Sequence, residues 1–177
     1  MLRLFAAIPL PPAIGAALTR RQAGIDAARW VPLENLHVTL RFFGDVREDV
    51  AQDLHGELAG IDARPFEIGL EGAGSFGEGA DISVVWAGVA ESPALHHLAS
   101  ACETAARRAG LKPEKRRYKP HVTLAYLKRP DPAEVAAWIQ ANNLLKSPPI
   151  EVDAFTLFAS TLGSAGAHYR VVAEYPL

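Results

Sequence analysis

The chain has 177 residues, 49% of them hydrophobic, and a net charge of −2 at pH 7. Its length and apolar content suit a single globular domain with a substantial core. The near-neutral charge argues against the class of basic proteins that coat long nucleic acids through phosphate contacts.

The cysteine content and the hydrophobic runs indicate the compartment. Cys102 is the only cysteine, which excludes an intramolecular disulfide and a thiolate metal cluster and favours a reducing environment. Residues 1–10 are too short and too rich in proline for a secretory signal, and no apolar run reaches the roughly 20 residues of a membrane-spanning helix. We therefore expect a cytoplasmic monomer that does not enter a membrane.

The first half of the chain contains two strand-helix pairs and a further strand. The predicted elements cover residues 2–8 (strand), 11–23 (helix), 36–43 (strand), 47–61 (helix) and 66–70 (strand). The glycine-rich segment 71–80 that follows is predicted to be a loop.

The second half repeats this order of elements and adds one strand. Strands are predicted over 82–89, 121–127, 152–160 and 168–175, and helices over 92–110 and 131–139. Matching landmarks lie at nearly equal offsets, namely 80 residues from Leu2 to Ile82, 84 from His37 to His121 and 86 from Phe66 to Val152.

Such regular spacing indicates a duplication within one domain that spans residues 1–177. We expect two related β-α-β-α-β halves, at about 1–75 and 80–177, because a chance similarity would not keep its spacing across five elements. Two pseudo-symmetric lobes that face one another should leave a groove between them.

The same tetrapeptide, His-Val-Thr-Leu, occurs at residues 37–40 and 121–124, at corresponding places in the two halves. Successive side chains of a strand point to opposite faces, so His and Thr share one face while Val and Leu share the other. The apolar pair can anchor each strand in the core, and the groove would then hold two histidines and two threonines.

These four side chains suit the hydrolysis of a cyclic phosphodiester. Two imidazoles with ordinary pKa values near 6.5 can divide at neutral pH into one neutral and one protonated ring. The neutral ring can accept the proton of an attacking water while the protonated ring protonates the leaving oxygen. The hydroxyls of Thr39 and Thr123 can donate to the non-bridging phosphate oxygens, where negative charge grows in the transition state.

Neither a metal nor a cofactor is expected. The sequence has no His-Glu-x-x-His segment, no carboxylate cluster at metal-ligand spacing and no Gly-x-x-x-x-Gly-Lys-Ser/Thr loop.

Paired His-x-Thr-hydrophobic motifs about 80 residues apart resemble those of the 2H phosphoesterase superfamily. The flanking segments are similar to its LigT-like branch, the RNA 2′,3′-cyclic phosphodiesterases that are also called 2′-5′ RNA ligases. They are residues 3–8 (Arg-Leu-Phe-Ala-Ala-Ile), 30–36 (Trp-Val-Pro-Leu-Glu-Asn-Leu), 41–44 (Arg-Phe-Phe-Gly) and 119–120 (Lys-Pro). The likeness covers essentially the whole chain.

The resemblance implies an α+β, bilobal fold whose antiparallel-rich sheets face a central groove. It also implies that RNA ends with a 2′,3′-cyclic phosphate are opened to 2′-phosphates, with His37 as proton donor and His121 as proton acceptor. Some members carry an arginine shortly after the second tetrapeptide, where this chain has Tyr126. The base preference is therefore open.

Four further residues are candidates for substrate contacts. Arg116 and Arg117 belong to the basic run 112–119 that ends just before His121, where either could attract an RNA phosphate, although a solvated loop is the alternative. Tyr126 and Phe5 could stack on a base, although core packing is equally compatible with Phe5.

Three alternatives to RNA end hydrolysis stay open. The first is ligation without ATP, in which an RNA 5′-hydroxyl replaces water as the attacking group. The second is a phosphodiesterase for small cyclic phosphates, which the basic run disfavours. The third is a non-catalytic module that binds RNA ends, which would have no need of two titrating groups.

Overall fold

The computed structural model describes residues 1–177 and contains ten strands and four α-helices. The strands are β1 (Leu2–Pro9), β2 (Ala28–Trp30), β3 (His37–Val46), β4 (Phe66–Ile68), β5 (Leu70–Phe76), β6 (Val84–Val89), β7 (His121–Leu127), β8 (Ile150–Val152), β9 (Ala154–Gly163) and β10 (Gly166–Pro176). The helices are α1 (Pro12–Thr19), α2 (Glu48–Ala59), α3 (Pro93–Arg108) and α4 (Pro132–Asn142).

Eight strands form one antiparallel sheet in the order β10-β9-β1-β3-β7-β6-β5, with β2 paired to β7. The central strands β3 and β7 pair only at Val38 and Val122, so the sheet divides there into two lobes. We call β10, β9, β1 and β3 the first lobe, and β7, β6, β5 and β2 the second. This antiparallel α+β architecture confirms the predicted fold class.

Each lobe combines strands from both halves of the chain. Strands β9 and β10 of the second half complete the first lobe, and β5 of the first half completes the second lobe. The short strands β4 and β8 form a separate ribbon in which Phe66 lies opposite Val152, the two residues matched in the sequence repeat. Because strands are exchanged, neither half can complete its lobe alone.

The helix starts follow the expected capping chemistry. The hydroxyl of Ser92 accepts a hydrogen bond from the amide of Leu95 at 3.2 Å, and the carboxylate of Asp131 accepts one from the amide of Ala133 at 2.9 Å. Proline occupies the first turn of both helices. Helix α1 ends at Thr19 instead of about residue 23, and the short strand β2 was not predicted.

The prediction of a loop over residues 71–80 was wrong, because most of this glycine-rich segment belongs to β5. Gly74 makes room for the indole of Trp86 on the neighbouring strand. A Cβ atom on Gly74 would lie 2.5 Å from the Trp86 ring, and one on Gly88 would collide with the carbonyl oxygen of Glu71. Glycine here permits close packing across two strands, a use that the composition of one segment does not reveal.

The core lies under the sheet and continues between both lobes. Leu4, Val38, Leu54, Leu98 and Leu124 are among its fully buried side chains. None of the four helices combines the length and the apolar character that crossing a membrane requires.

Candidate active site

The two His-Val-Thr-Leu segments meet at the junction of the lobes. Val38 and Val122 are buried and pair across β3 and β7. In an antiparallel pair, the residues beside such a pair lie next to one another, so His37 approaches Thr123 and His121 approaches Thr39. No second residue pair joins β3 to β7. Of the tetrapeptide residues, Thr39, Leu40 and His121 line the groove beside this junction.

The backbone fixes the orientation of both imidazoles in the same way. The Nδ1–H of His37 donates to the carbonyl of Asn35 at 2.7 Å, and the Nδ1–H of His121 donates to the carbonyl of Lys119 at 2.7 Å. Because a carbonyl oxygen only accepts, Nδ1 carries a proton in both charge states of each ring. Proton exchange is therefore confined to the two Nε2 atoms.

His37 lies in an aromatic pocket of the first lobe. Its ring centroid is 5.0 Å from that of Phe5 and 5.5 Å from that of Tyr169, and its Nε2 lies 3.0 Å from Thr39 Oγ1. A base-stacking role for Phe5 is not supported, because Phe5 is only 4% exposed and is covered by Phe158 and Tyr169. Phe5 instead supports the His37 ring from below.

His121 packs against a different pair of aromatic rings. Its centroid lies 4.8 Å from that of Phe76, edge to face, and 6.2 Å from that of Trp86. The ammonium group of Lys119 lies over the same two rings, 4.8 Å from the Trp86 centroid and 5.6 Å from the Phe76 centroid. A cation thus stands beside the second histidine.

Burial lowers the pKa of both histidines below the ordinary value and is the largest cause for each. The carbonyl acceptors of Asn35 and Lys119 oppose this shift. Nearby positive charge lowers each pKa further. The charge that lowers the pKa of His37 is that of His121, and the charge that lowers the pKa of His121 is the Lys119 ammonium.

The groove beside the histidines has a volume of about 800 Å³ and extends along the loop between α3 and β7. Thr39, His121, Arg116 and Arg117 all line it, so both arginines lie where the sequence predicted them. Arg116 is bound to the carboxylate of Glu114, which lowers the pKa of that carboxyl to about 2.

A β-bulge at the last residue of each tetrapeptide changes the face on which the following residues lie. In β7, Trp86 pairs with Thr123 but Val85 pairs with Ala125, so Leu124 is an extra residue. Tyr126, which simple alternation would turn to the core, therefore lies on the same face of β7 as His121 and is 44% exposed, although it does not line the groove itself.

The first half has the same bulge at Leu40, between Thr39 and Arg41 in their pairing with β1. This bulge directs the side chain of Phe42, the counterpart of Tyr126, away from the core. Phe42 is 37% exposed. An arginine covers each ring, with Arg3 4.9 Å from the Phe42 centroid and Arg29 5.4 Å from the Tyr126 centroid.

Sequence reasoning missed three residues of this site, namely Lys119, Trp86 and Tyr118. Lys119 lies two residues before the second histidine, and aligning it with Asn35 in the first half would have drawn attention to it. Trp86 lies on a strand that was predicted, yet nothing in the sequence indicated that its ring reaches His121. No group of three or more His, Cys, Asp or Glu side chains is arranged to hold a metal ion.

Comparisons with known proteins assign this chain to a family. The family model of the 2′-5′ RNA ligase superfamily matches residues 10–163. An RNA 2′,3′-cyclic phosphodiesterase of Archaeoglobus fulgidus is 31% identical over 172 residues, which cover 96% of this chain and 97% of the relative. Another, of Aeropyrum pernix, is 35% identical over 144 residues, which cover 80% and 81%.

Solved structures agree with this assignment. The crystal structure of E. coli LigT complexed with 3′-AMP superimposes with a TM-score of 0.80 at 28% identity, over 99% of this chain and 98% of LigT. These relatives also confirm the expectation of an enzyme. The chain is therefore a member of the 2′-5′ RNA ligase superfamily.

Proposed function

We propose that this enzyme hydrolyses the 2′,3′-cyclic phosphate at RNA 3′ ends to a 2′-phosphomonoester, with His37 and His121 as its acid–base pair and without a metal ion. The observation that carries the proposal is the matched orientation of the histidines. Each Nδ1 is occupied by a backbone carbonyl at 2.7 Å, so each ring can exchange a proton only at Nε2. His121 lines the groove, and Nε2 of His37 lies 3.0 Å from the hydroxyl oxygen of Thr39.

The reaction needs one proton accepted and one donated. Nε2 of His121 accepts a proton from water as the water oxygen bonds to phosphorus. The bond between phosphorus and O3′ breaks, and the protonated Nε2 of His37 gives its proton to O3′. The product carries its phosphate on O2′, and exchange with solvent restores the two histidines.

Both histidine pKa values lie below the ordinary value in the free protein, so the charged state of His37 must be favoured by the substrate. The anionic cyclic phosphate can do so, because a negative charge beside an imidazole raises its pKa. Thr39 already lies 3.0 Å from Nε2 of His37, and Thr123 is its counterpart in the second tetrapeptide. Their hydroxyls would donate to the non-bridging oxygens.

RNA is supported as the substrate by the relatives and by the groove. The curated relatives described above are named for RNA 2′,3′-cyclic phosphate. The groove carries cationic side chains beyond the histidines, including Arg117 and Lys119, which suits a polyanion longer than one nucleotide. Tyr126, exposed on the same face of β7 as His121, is the proposed contact for the terminal base.

Ligation is the second candidate, favoured by the description of the family whose model matches this chain. The two reactions differ only in the attacking group, which is water or an RNA 5′-hydroxyl. Adding a 5′-hydroxyl oligonucleotide to the assay and measuring 2′-5′-linked product against 2′-phosphate separates them.

The proposal is tested by treating the protein with EDTA, incubating it with a cyclic-phosphate-ended oligoribonucleotide and identifying the product by phosphorus NMR. Full activity and a 2′-phosphate are expected. Lost activity that zinc or manganese restores would contradict the metal-free mechanism. If the protein bound the RNA end without turnover, its function would be that of a non-catalytic module that binds RNA ends. A mononucleotide 2′,3′-cyclic phosphate turned over as well as the oligonucleotide would favour a small substrate.

The protein is proposed to act as a monomer in the cytoplasm. The single thiol, Cys102, is fully buried, and burial raises its pKa to about 12, so it stays protonated and is poorly reactive.

A further inference from the structure

We propose that Lys119 is a positioning residue that makes His121 the proton acceptor of the histidine pair, by holding a cation beside that ring and not beside His37. This inference rests on the function proposed above. It explains how two histidines in copies of the same motif can have different roles, one as the proton acceptor and one as the proton donor.

The position of the Lys119 ammonium is determined by the rings of Phe76 and Trp86, which we call the aromatic wall of the second lobe. Nζ lies over the rings of both Trp86 and Phe76, at 4.8 and 5.6 Å from their centroids. A cation over an aromatic face is attracted by the negative face of the ring. Since the His121 ring packs against the same two side chains, the wall holds the ammonium and the imidazole together.

The sequence of the second lobe provides the space that this pair of aromatic rings needs. The Trp86 indole can lie over Gly74 of β5 only because this residue has no side chain, since a Cβ on Gly74 would lie 2.5 Å from the indole. The counterpart of Trp86 in the first lobe is Ala7, because Trp86 pairs with Thr123 and Ala7 pairs with Thr39. Only the second lobe therefore offers an indole that can hold a cation near its histidine.

The residue equivalent to Lys119 in the first half is Asn35, two residues before His37. Both residues use their carbonyl in the same way, as acceptor of an Nδ1–H at 2.7 Å. Their side chains differ in charge, and the Asn35 amide donates to the carbonyl of Ala167 at 2.9 Å. The backbone support is therefore symmetric while the charge is not.

A cation beside an imidazole disfavours its protonated form. The Lys119 charge accordingly acts with burial to lower the pKa of His121, while the charged neighbour that acts on His37 is His121 itself. Several other titratable or charged groups line the groove, namely Arg41, His96, Glu103, Glu114, Arg116 and Arg117. Two of the arginines are neutralised, Arg41 by Glu103 and Arg116 by Glu114.

When a bound phosphate stabilises one proton on the pair, the Lys119 ammonium therefore directs that proton to His37. His121 remains neutral and is the base. Removing the ammonium should raise the pKa of His121 by about 0.5–1 pH unit, the size expected for one cation several ångströms away at a partly solvated site.

The test is an NMR titration of the histidine ring signals in the full-length protein without substrate. The variants are Lys119→Met, which removes the charge, Lys119→Arg, which keeps it, and Lys115→Met, which removes the same charge from an exposed position of the same loop. The His121 signal is assigned by its loss in His121→Gln.

The pH at the midpoint of the His121 titration is expected to rise in Lys119→Met. It should stay at the parent value in Lys119→Arg and in Lys115→Met. The acid limb of the kcat/KM profile, which reports the base of the free enzyme, should move to higher pH by the same amount. An unmoved midpoint in Lys119→Met, or an equal rise in Lys115→Met, would overturn the inference.

A raised KM without a change in the titration would also overturn it, because Lys119 would then be a phosphate contact. Failure of the proposed function has a different signature. The parent protein would not turn over the RNA, while the titration in the absence of substrate would still decide the role of Lys119.

Discussion

The phenolic O–H of Tyr118 donates to the backbone carbonyl of Thr39 at 2.8 Å, and this bond joins the first tetrapeptide to the segment that precedes the second. Thr39 lies in the first tetrapeptide, whereas Tyr118 precedes Lys119, whose carbonyl orients His121. The loop is held at two further points, where Arg41 donates to the carbonyl of Lys112 and Glu103 accepts from the amide of Glu114. The position of His121 thus depends on contacts with β3 and α3.

Replacing Tyr118 by phenylalanine should lower kcat by about 3–10-fold, the range expected when one hydrogen bond of about 1 kcal/mol is lost from the positioning of a catalytic group. The measurement is steady-state kinetics on a cyclic-phosphate-ended RNA. Tyr175→Phe is the matched control, since its hydroxyl is 2.8 Å from His55 Nδ1, away from the groove. An equal loss in both variants would mean that the effect is general destabilisation.

Acid should destabilise the protein partly through His37. Burial is the largest cause that lowers the pKa of His37 in the folded state, whereas the unfolded chain has the ordinary value near 6.5. Below that pH the unfolded state binds a proton that the folded state does not, so stability falls as the pH drops from about 6.5 through the lowered folded pKa. Above about pH 6.5 this contribution disappears.

The variant His37→Asn should therefore lose less stability than the parent between about pH 7.5 and about pH 5.5, as measured by urea unfolding. His97→Asn, which removes an exposed histidine of α3, should follow the parent. If the free energy of unfolding fell equally with pH in the parent and in His37→Asn, the lowered pKa of His37 would be contradicted.

Gly74→Ala should destabilise the protein by about 1–3 kcal/mol, because the new methyl group would overlap the Trp86 indole and force it to move. Urea unfolding measures this cost. Gly69→Ala is the control, since a Cβ there meets no atom within 4 Å. Because the indole also contacts His121, activity should fall in Gly74→Ala under conditions where the protein remains folded. Unchanged activity would show that the aromatic wall does not position that histidine.

The repeated tetrapeptide was enough to predict the strand β7, whose observed range is the predicted one, and the two copies do meet at the pair Val38 and Val122. Such a prediction succeeds because the alternation of buried Val and Leu with His and Thr is a local property of a strand. The segment that forms β5 was wrongly predicted to be a loop, because the packing that requires Gly74 involves Trp86, on another strand.

The exposed position of Tyr126 and the charge beside His121 also depend on contacts between strands. The bulge at Leu124 is set by the pairing of β6 with β7, and one sequence does not reveal where such an extra residue falls. The Lys119 ammonium reaches His121 through the rings of Phe76 and Trp86, which come from two different strands. Both features become visible only when the register of the sheet is known.

Replacing either histidine by alanine should lower turnover by about 10²–10⁴-fold, because the proposed mechanism gives each of them one of the two proton transfers. Both variants are expected to remain folded at neutral pH, as checked by urea unfolding. Near-parental turnover in either would exclude that residue from the chemistry.

The assignment of acid and base is tested most directly with a cyclic substrate in which sulfur replaces O3′. A thiolate leaves without needing a proton, so the substitution should restore much of the lost rate in His37→Ala and little in His121→Ala. The ratio of rates for the sulfur and oxygen substrates, measured for both variants and the parent, gives the answer. Selective rescue of His37→Ala is predicted, whereas selective rescue of His121→Ala would show that the two histidines have the opposite roles.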